Sequence, residues 1–145
     1  MRGFALSGDR RGIDNVLDVL PASEAVRALL RLSEEDQRLL LTVLAPAEAA
    51  DLIEEVPDQQ AADLMERLPA AEAASILEEL NSDDQADLIA DIASDEAEAI
   101  LAEMSPEAAD DVRRLAEYDP LSAGGLMMTE TFEFDDTATA GDVLD

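Results

Sequence analysis

An apolar register of twelve residues constrains this chain more than any other feature. Leu20, Leu32, Leu44, Val56, Leu68, Leu80, Ile92 and Met104 fall twelve apart, eight in succession. With each taken as position zero, position eight is Ala28, Leu40, Leu52, Leu64, Ile76, Leu88, Ile100 and Val112. Position nine is Leu29, Leu41, Ile53, Met65, Leu77, Ile89 and Leu101, and only Arg113 departs from the pattern. Position five is usually Ala. Sites at five, eight, nine and twelve are spaced i, i+3, i+4, i+7, which is one face of an α-helix.

The helix starts are marked as well. Pro21, Pro46, Pro57, Pro69 and Pro106 stand one or two residues after position zero, where proline begins a helix at little cost. Ser105-Pro106 reads as N-cap and first helical residue, and Ser82-x-x-Gln85 as a capping box. Each unit is therefore predicted to be a helix of about ten residues followed by a very short turn. Hydrophobic residues make up 48% of the chain and aromatics 3%, so the core must be built from Leu, Ile, Val and Ala. That composition suits helices and suits strands poorly.

So short a helix does not hold alone in water. Tight connections predict antiparallel neighbours stacked as helix hairpins with a period of 24 residues, an all-α repeat array or small superhelix. A single globular bundle with accidental periodicity is the alternative. An earlier helix near Gly12 to Leu20 is expected to cap the array. The register stops after Leu115, where Asp119-Pro120 and Gly124-Gly125 are turn signals. Thr131 to Phe134 alternates like a short strand, and Ala138 to Leu144 could open a helix. The expected division is residues 1–117 for the repeat domain and 118–145 for a linker and a truncated second module.

Several function classes fall away. The chain has no Cys and no His, which removes disulfides, the usual zinc sites and His-based triads. It has no Lys, no Gly-x-x-x-x-Gly-Lys loop and no EF-hand spacing, so neither phosphate-loop nor EF-hand chemistry is expected. Met127-Met128 is read as packing. A soluble, cytoplasmic, non-enzymatic module is expected.

Charge is the remaining signal. Thirty-six acids against nine bases, all Arg, leave a formal charge of −27. From Leu39 to Val112 there are twenty-one acids and one base, Arg67. Such a surface repels nucleic acid and anionic membranes, and calls for cations or a basic protein. Acids at positions three and four (Glu48, Glu72, Asp83, Asp84, Asp95, Glu96, Glu107) fall in first turns, where the helix dipole favours them. Those at ten and eleven (Glu54, Glu55, Glu66, Glu78, Glu79, Asp91, Glu103) fall in last turns, where it disfavours them. Asp83 and Asp87 stand i, i+4 as like charges. A solvated, salt-screened face would account for any one of these acids; for the whole set, the uncompensated repulsion points to cations. Clusters of carboxylate oxygens suit hard ions such as Mg²⁺ or Ca²⁺.

The tandem phrase E-A-A-x-L-x-E-x-L, the stretch NSDDQADLI and the junction Y-D-P-L-S-A-G-G-L-M-M-T together resemble the MgtE family of magnesium transporters and channels. The resemblance runs from Gly8-Asp9 to the end of the chain. The repeat units are generic; the junction from Tyr118 through Ala123-Gly124-Gly125-Leu126-Met127 is specific, and resembles the family's passage from its cytosolic N domain into the first CBS domain. The resemblance implies a right-handed superhelix of short antiparallel helices, followed by an incomplete CBS segment. It also implies a role. Mg²⁺ held between the N domain and the CBS domains of the same polypeptide keeps the cytosolic part compact and the pore shut, in a parent that is a homodimer. The fragment would lie on the cytoplasmic side of the plasma membrane without touching membrane or nucleic acid.

The family's metal-contacting acids occur in A-A-[DE]-[VL] and D-D-x-A-D. Carried onto this chain they are Asp51, in Ala49-Ala50-Asp51-Leu52, and Asp83 and Asp87, in Asp83-Asp84-Gln85-Ala86-Asp87. The family's His-Pro-x-Asp corner is Pro21-Ala22-Ser23-Glu24 here, without the His. The other functional reading is an acidic helical-repeat scaffold that docks a basic protein and has no metal role.

Overall fold

The computed structural model describes residues 19–118. Within them the chain forms α1 (Ala22–Leu30), α2 (Glu34–Val43), α3 (Pro46–Glu54), α4 (Asp58–Glu66), α5 (Ala70–Leu77), α6 (Ser82–Asp91), α7 (Ser94–Glu103) and α8 (Pro106–Ala116). The described residues contain no strand, as the all-α reading expects. The helix expected near Gly12 to Leu20 lies almost wholly outside them. The strand expected at Thr131 to Phe134 and the helix expected at Ala138 to Leu144 fall entirely outside, as does the expected CBS segment beyond Tyr118.

The helix starts are set by local chemistry. Pro46 and Pro106 are first helical residues, whereas Pro21, Pro57 and Pro69 stand one place earlier as N-caps. Ser105 caps α8, its Oγ accepting the Ala108 N–H at 3.3 Å. Ser33 caps α2 and also donates its hydroxyl to Asp36 at 2.7 Å. Ser82-x-x-Gln85 does not form the expected capping box. Asn81 is the N-cap of α6, which makes Ser82 its first helical residue, and Gln85 instead donates back to the Leu80 carbonyl at 2.7 Å. Half of a box appears at α3, where Glu48 accepts the Ala45 N–H at 2.8 Å; Ala45 has no side-chain oxygen to return the bond.

Connections are only two to four residues long, yet consecutive helices are not the principal partners. Close packing joins α1 to α3, α3 to α5, α4 to α6, α5 to α7 and α6 to α8, and α7 also touches α8. Each such alternate pair begins 24 residues apart. The expected period is therefore present, but it measures helix-to-next-but-one packing and not a stack of sequential hairpins. Short connections make consecutive helices share chiefly the corner where they join, while their flanks lie against the helices two places along.

One apolar cluster runs from Ala25 to Val112. It is built from positions five, eight, nine and twelve, as the register requires. Leu29, Leu40, Met65 and Leu77 are completely buried. Position six joins them in the middle of the array: Ala50, Ala62, Ala74 and Ala86 are buried. In the last two described helices the same position is Glu98 and Asp110, both exposed. Small residues at five and six let the backbones of α3 to α5 approach their neighbours, and burial of each Leu or Ile then contributes about 1.5–3 kcal/mol. No helix of the described residues is long and apolar enough to cross a membrane.

Candidate functional site

The step from α3 to α4 faces α6 across a cleft of about 80 Å³. Its floor is apolar, with Ile53, Val56, Ala61, Leu80 and Leu88, and four carboxylates surround it: Glu54, Asp58, Asp84 and Asp87. Glu54 ends α3 and Asp58 begins α4, so the pair flanks the buried Val56 at position zero. Asp84 lies in the first turn of α6 and Asp87 one turn on, an i, i+3 pair on one helical face.

The electrostatics are one-sided. Burial raises the Glu54 carboxyl above its ordinary range, and Asp84, Asp51 and Glu55 raise it further. Burial also raises Asp84, followed by Asp83; the Asn81 side chain opposes this by hydrogen bonding to it, and Asp58 adds to the rise. Asp87 is raised by burial, then by Asp83, Asp58, Asp84 and Asp91. None of the ion pairs among the described residues reaches the cleft. Arg67 bonds Glu34 at 3.3 Å and Gln37 Oε1 at 3.3 Å, while Arg113 and Arg114 pair with Glu98, Asp110 and Asp111.

The three residues carried over from the family motif are placed differently from one another. Asp87 lines the cleft. Asp83 does not, but its charge acts on both Asp84 and Asp87, and its Oδ1 is buried without a hydrogen-bond partner. Asp51 is exposed, lies outside the lining, and acts by charge on Glu54. Among the described residues no group of three or more acids is arranged to hold a metal by itself. The set can supply one or two carboxylates to a hydrated Mg²⁺ whose remaining ligands come from elsewhere.

Nothing in the sequence alone gathers Glu54, Asp58 and Asp84 into one site. Glu54 and Asp84 stand out there only as a last-turn and a first-turn acid. The usable signal is the 24-residue packing step, which sets the α3–α4 corner beside α6.

The structure also revises the reading of the last-turn acids. Glu66 accepts the Ala93 N–H at 2.7 Å, and Glu78 accepts the Ser105 N–H at 3.1 Å. Ala93 and Ser105 are the N-caps of α7 and α8. These two glutamates, disfavoured by their own helix ends, thus cap the positive end of the helix three places along. Glu72 shows the converse. It occupies the place that Glu48 uses for capping, but its would-be donor is Pro69, which has no N–H, and its Oε2 is left buried without a partner.

Residues 20–120 match the family model described as the MgtE intracellular N domain. The fold resembles the cytosolic domain of the Mg²⁺ channel MgtE in complex with ATP, at 28% identity and a TM-score of 0.72, over 85% of this chain and 51% of that one. It also resembles the soluble part of a magnesium transporter, at 24% identity and a TM-score of 0.75, over 88% of this chain and 51% of that one. The all-α superhelix of short helices is thus the fold of these structures, and the chain spans about half the length of each. No curated protein sequence matches it significantly. With the family model covering most of its length, the chain belongs to the family of MgtE intracellular N domains.

Proposed function

We propose that this chain is the Mg²⁺-sensing regulatory part of a magnesium transporter or channel, docking through Mg²⁺ against CBS domains of the same polypeptide to gate the pore. The observation that carries the reading is the cleft between α3–α4 and α6. There, burial and mutual repulsion raise Glu54, Asp84 and Asp87 together, and no described cation compensates them. Their charge stands at a cost in the free domain, and a divalent ion shared with a partner surface relieves it.

Asp83 and Asp87 on α6 and Asp51 on α3 are the proposed metal contacts. Because Mg²⁺ keeps several waters and takes one or two carboxylates, this chain supplies half-sites that a facing domain completes. At high Mg²⁺ the ion binds the docked state better than the separated one and so populates it. At low Mg²⁺ like charges push the surfaces apart. This role places the chain on the cytoplasmic side of the plasma membrane in a homodimeric parent, with no catalysis of its own.

Limited proteolysis of the cytosolic part, CBS domains included, tests the reading across a Mg²⁺ titration. Mg²⁺ should protect the wild type, and the triple variant Asp51→Ala, Asp83→Ala, Asp87→Ala should need more Mg²⁺ for equal protection. A triple variant with full Mg²⁺-dependent resistance would show that these acids are a solvated face.

A further inference from the structure

Position ten varies in step with the residue twenty-seven places further on. Where that later residue is Pro57 or Pro69, with no N–H to offer, position ten is Leu30 or Thr42. Where it is Asn81, Ala93 or Ser105, position ten is Glu54, Glu66 or Glu78. Carboxylates thus occur where a helix N-cap amide is available to them. Two of the three make the bond, Glu66 to Ala93 at 2.7 Å and Glu78 to Ser105 at 3.1 Å. No such bond joins Glu54 to Asn81. Glu54 instead lines the acidic cleft with Asp58, Asp84 and Asp87, and the Asn81 side chain hydrogen-bonds Asp84.

We propose that Glu54 and the Asn81 amide form the open rung of a three-rung ladder, which closes when the negative charge of the cleft is neutralised. Two effects compete at this rung. A carboxylate bonded to an N-cap amide is stabilised by the charge-assisted bond and by the helix dipole. The same movement holds Glu54 against the start of α6, where Asp83 and Asp84 stand in the first turn. The equivalent places after Ala93 and Ser105 also carry acids (Asp95-Glu96 and Glu107), yet those rungs are closed. A like cleft recurs at the closed rung of Glu66, lined by Glu96 but with Ala70 and Ala99 where the first cleft has Asp58 and Asp87. Those two further acids distinguish the third rung. Removing charge there tips the balance, and the end of α3 is drawn onto the start of α6. The rung then transmits the state of the cleft to the superhelix. In its natural trigger the device rests on the Mg²⁺ reading above; closure by substitution does not.

Amide hydrogen exchange, followed by NMR on the 145-residue chain, reads all three rungs together. Without Mg²⁺, the Asn81 amide should exchange roughly tenfold faster than those of Ala93 and Ser105. Asp84→Asn should slow Asn81 toward them, and Glu54→Ala added to Asp84→Asn should make it fast again. Glu66→Ala should speed Ala93 alone, and unchanged protection at Leu77 shows that each variant is folded. The proposal fails if Asn81 is as slow as Ala93 in the unsubstituted chain and speeds on Glu54→Ala, because the rung would already be closed. It fails equally if Asp84→Asn leaves Asn81 fast. A second arm adds Mg²⁺ to the cytosolic part with its CBS domains. Slowing at Asn81 there supports both readings, whereas slowing by Asp84→Asn but not by Mg²⁺ upholds the ladder and overturns Mg²⁺ sensing.

Discussion

Replacing Glu66 or Glu78 with Ala should destabilise the array, although each is an exposed acid at its own helix's unfavourable end. An N-cap acceptor contributes about 1 kcal/mol, and a negative charge facing an exposed helix N-terminus about 0.3–1 kcal/mol. These overlap, and solvent screens the second, so about 1 kcal/mol is lost per site. Removing the acid from the C-terminal end of its own helix returns a few tenths of a kcal/mol. The net loss is about 0.5–1 kcal/mol each, or roughly 2–4 °C in melting temperature for a chain of this size. Glu66 joins α4 to α7 and Glu78 joins α5 to α8. With no shared partner, the double variant should lose close to the sum. Thermal denaturation followed by circular dichroism measures this, with Glu79→Ala as comparison. Glu79 is the exposed neighbour of Glu78 and makes no interhelix bond, so its removal should leave the melting temperature unchanged or slightly raised. Equal effects of Glu78→Ala and Glu79→Ala would refute interhelix capping as the role of these acids.

Leu77→Ala, at a side chain with no exposed surface, should cost about 2–5 kcal/mol by cavity formation; a loss below 1 kcal/mol in urea denaturation would mean that the α5 layer is loosely packed. Burial and neighbouring charge raise Glu54, Asp84 and Asp87, so the folded state takes up protons at a pH where the unfolded chain remains ionised. Their contribution therefore strengthens as pH falls from neutrality toward the ordinary carboxylate range, and melting temperature at constant ionic strength should rise as it does; a steady fall instead would mean that the capping carboxylates dominate. The isolated chain should bind Mg²⁺ weakly, since no three described acids converge on one ion; micromolar affinity by calorimetry would contradict the half-site account.

Much of the fold is legible in the sequence because burial repeats helix by helix. Each unit must hide one face, so the twelve-residue register locates the buried Ile, nearly all the buried Leu and the buried Ala of position five. Pro46, Pro106 and Ser105 mark starts through chemistry confined to one turn. The site is less legible. Asp51, Asp83 and Asp87 come from motif resemblance, while Glu54, Asp58 and Asp84 emerge as their neighbours only when α3, α4 and α6 are seen together. The burial of Ala50, Ala62, Ala74 and Ala86 at position six was likewise hidden, since alanine is equally at home on a solvated helix face.

What the sequence determined by itself is where each helix begins and which side of it is apolar, because those depend on residues within one or two turns. Which helix covers that side is decided by the angle at every corner, and that angle comes from packing. The helices could have stacked on their sequence neighbours; they pack on the next but one instead. That choice sets Glu66 and Glu78 against amides twenty-seven residues away and leaves Glu54 among like charges. The last-turn acids look alike in the sequence, and only the path of the superhelix separates those that find a helix end from the one that faces the cleft.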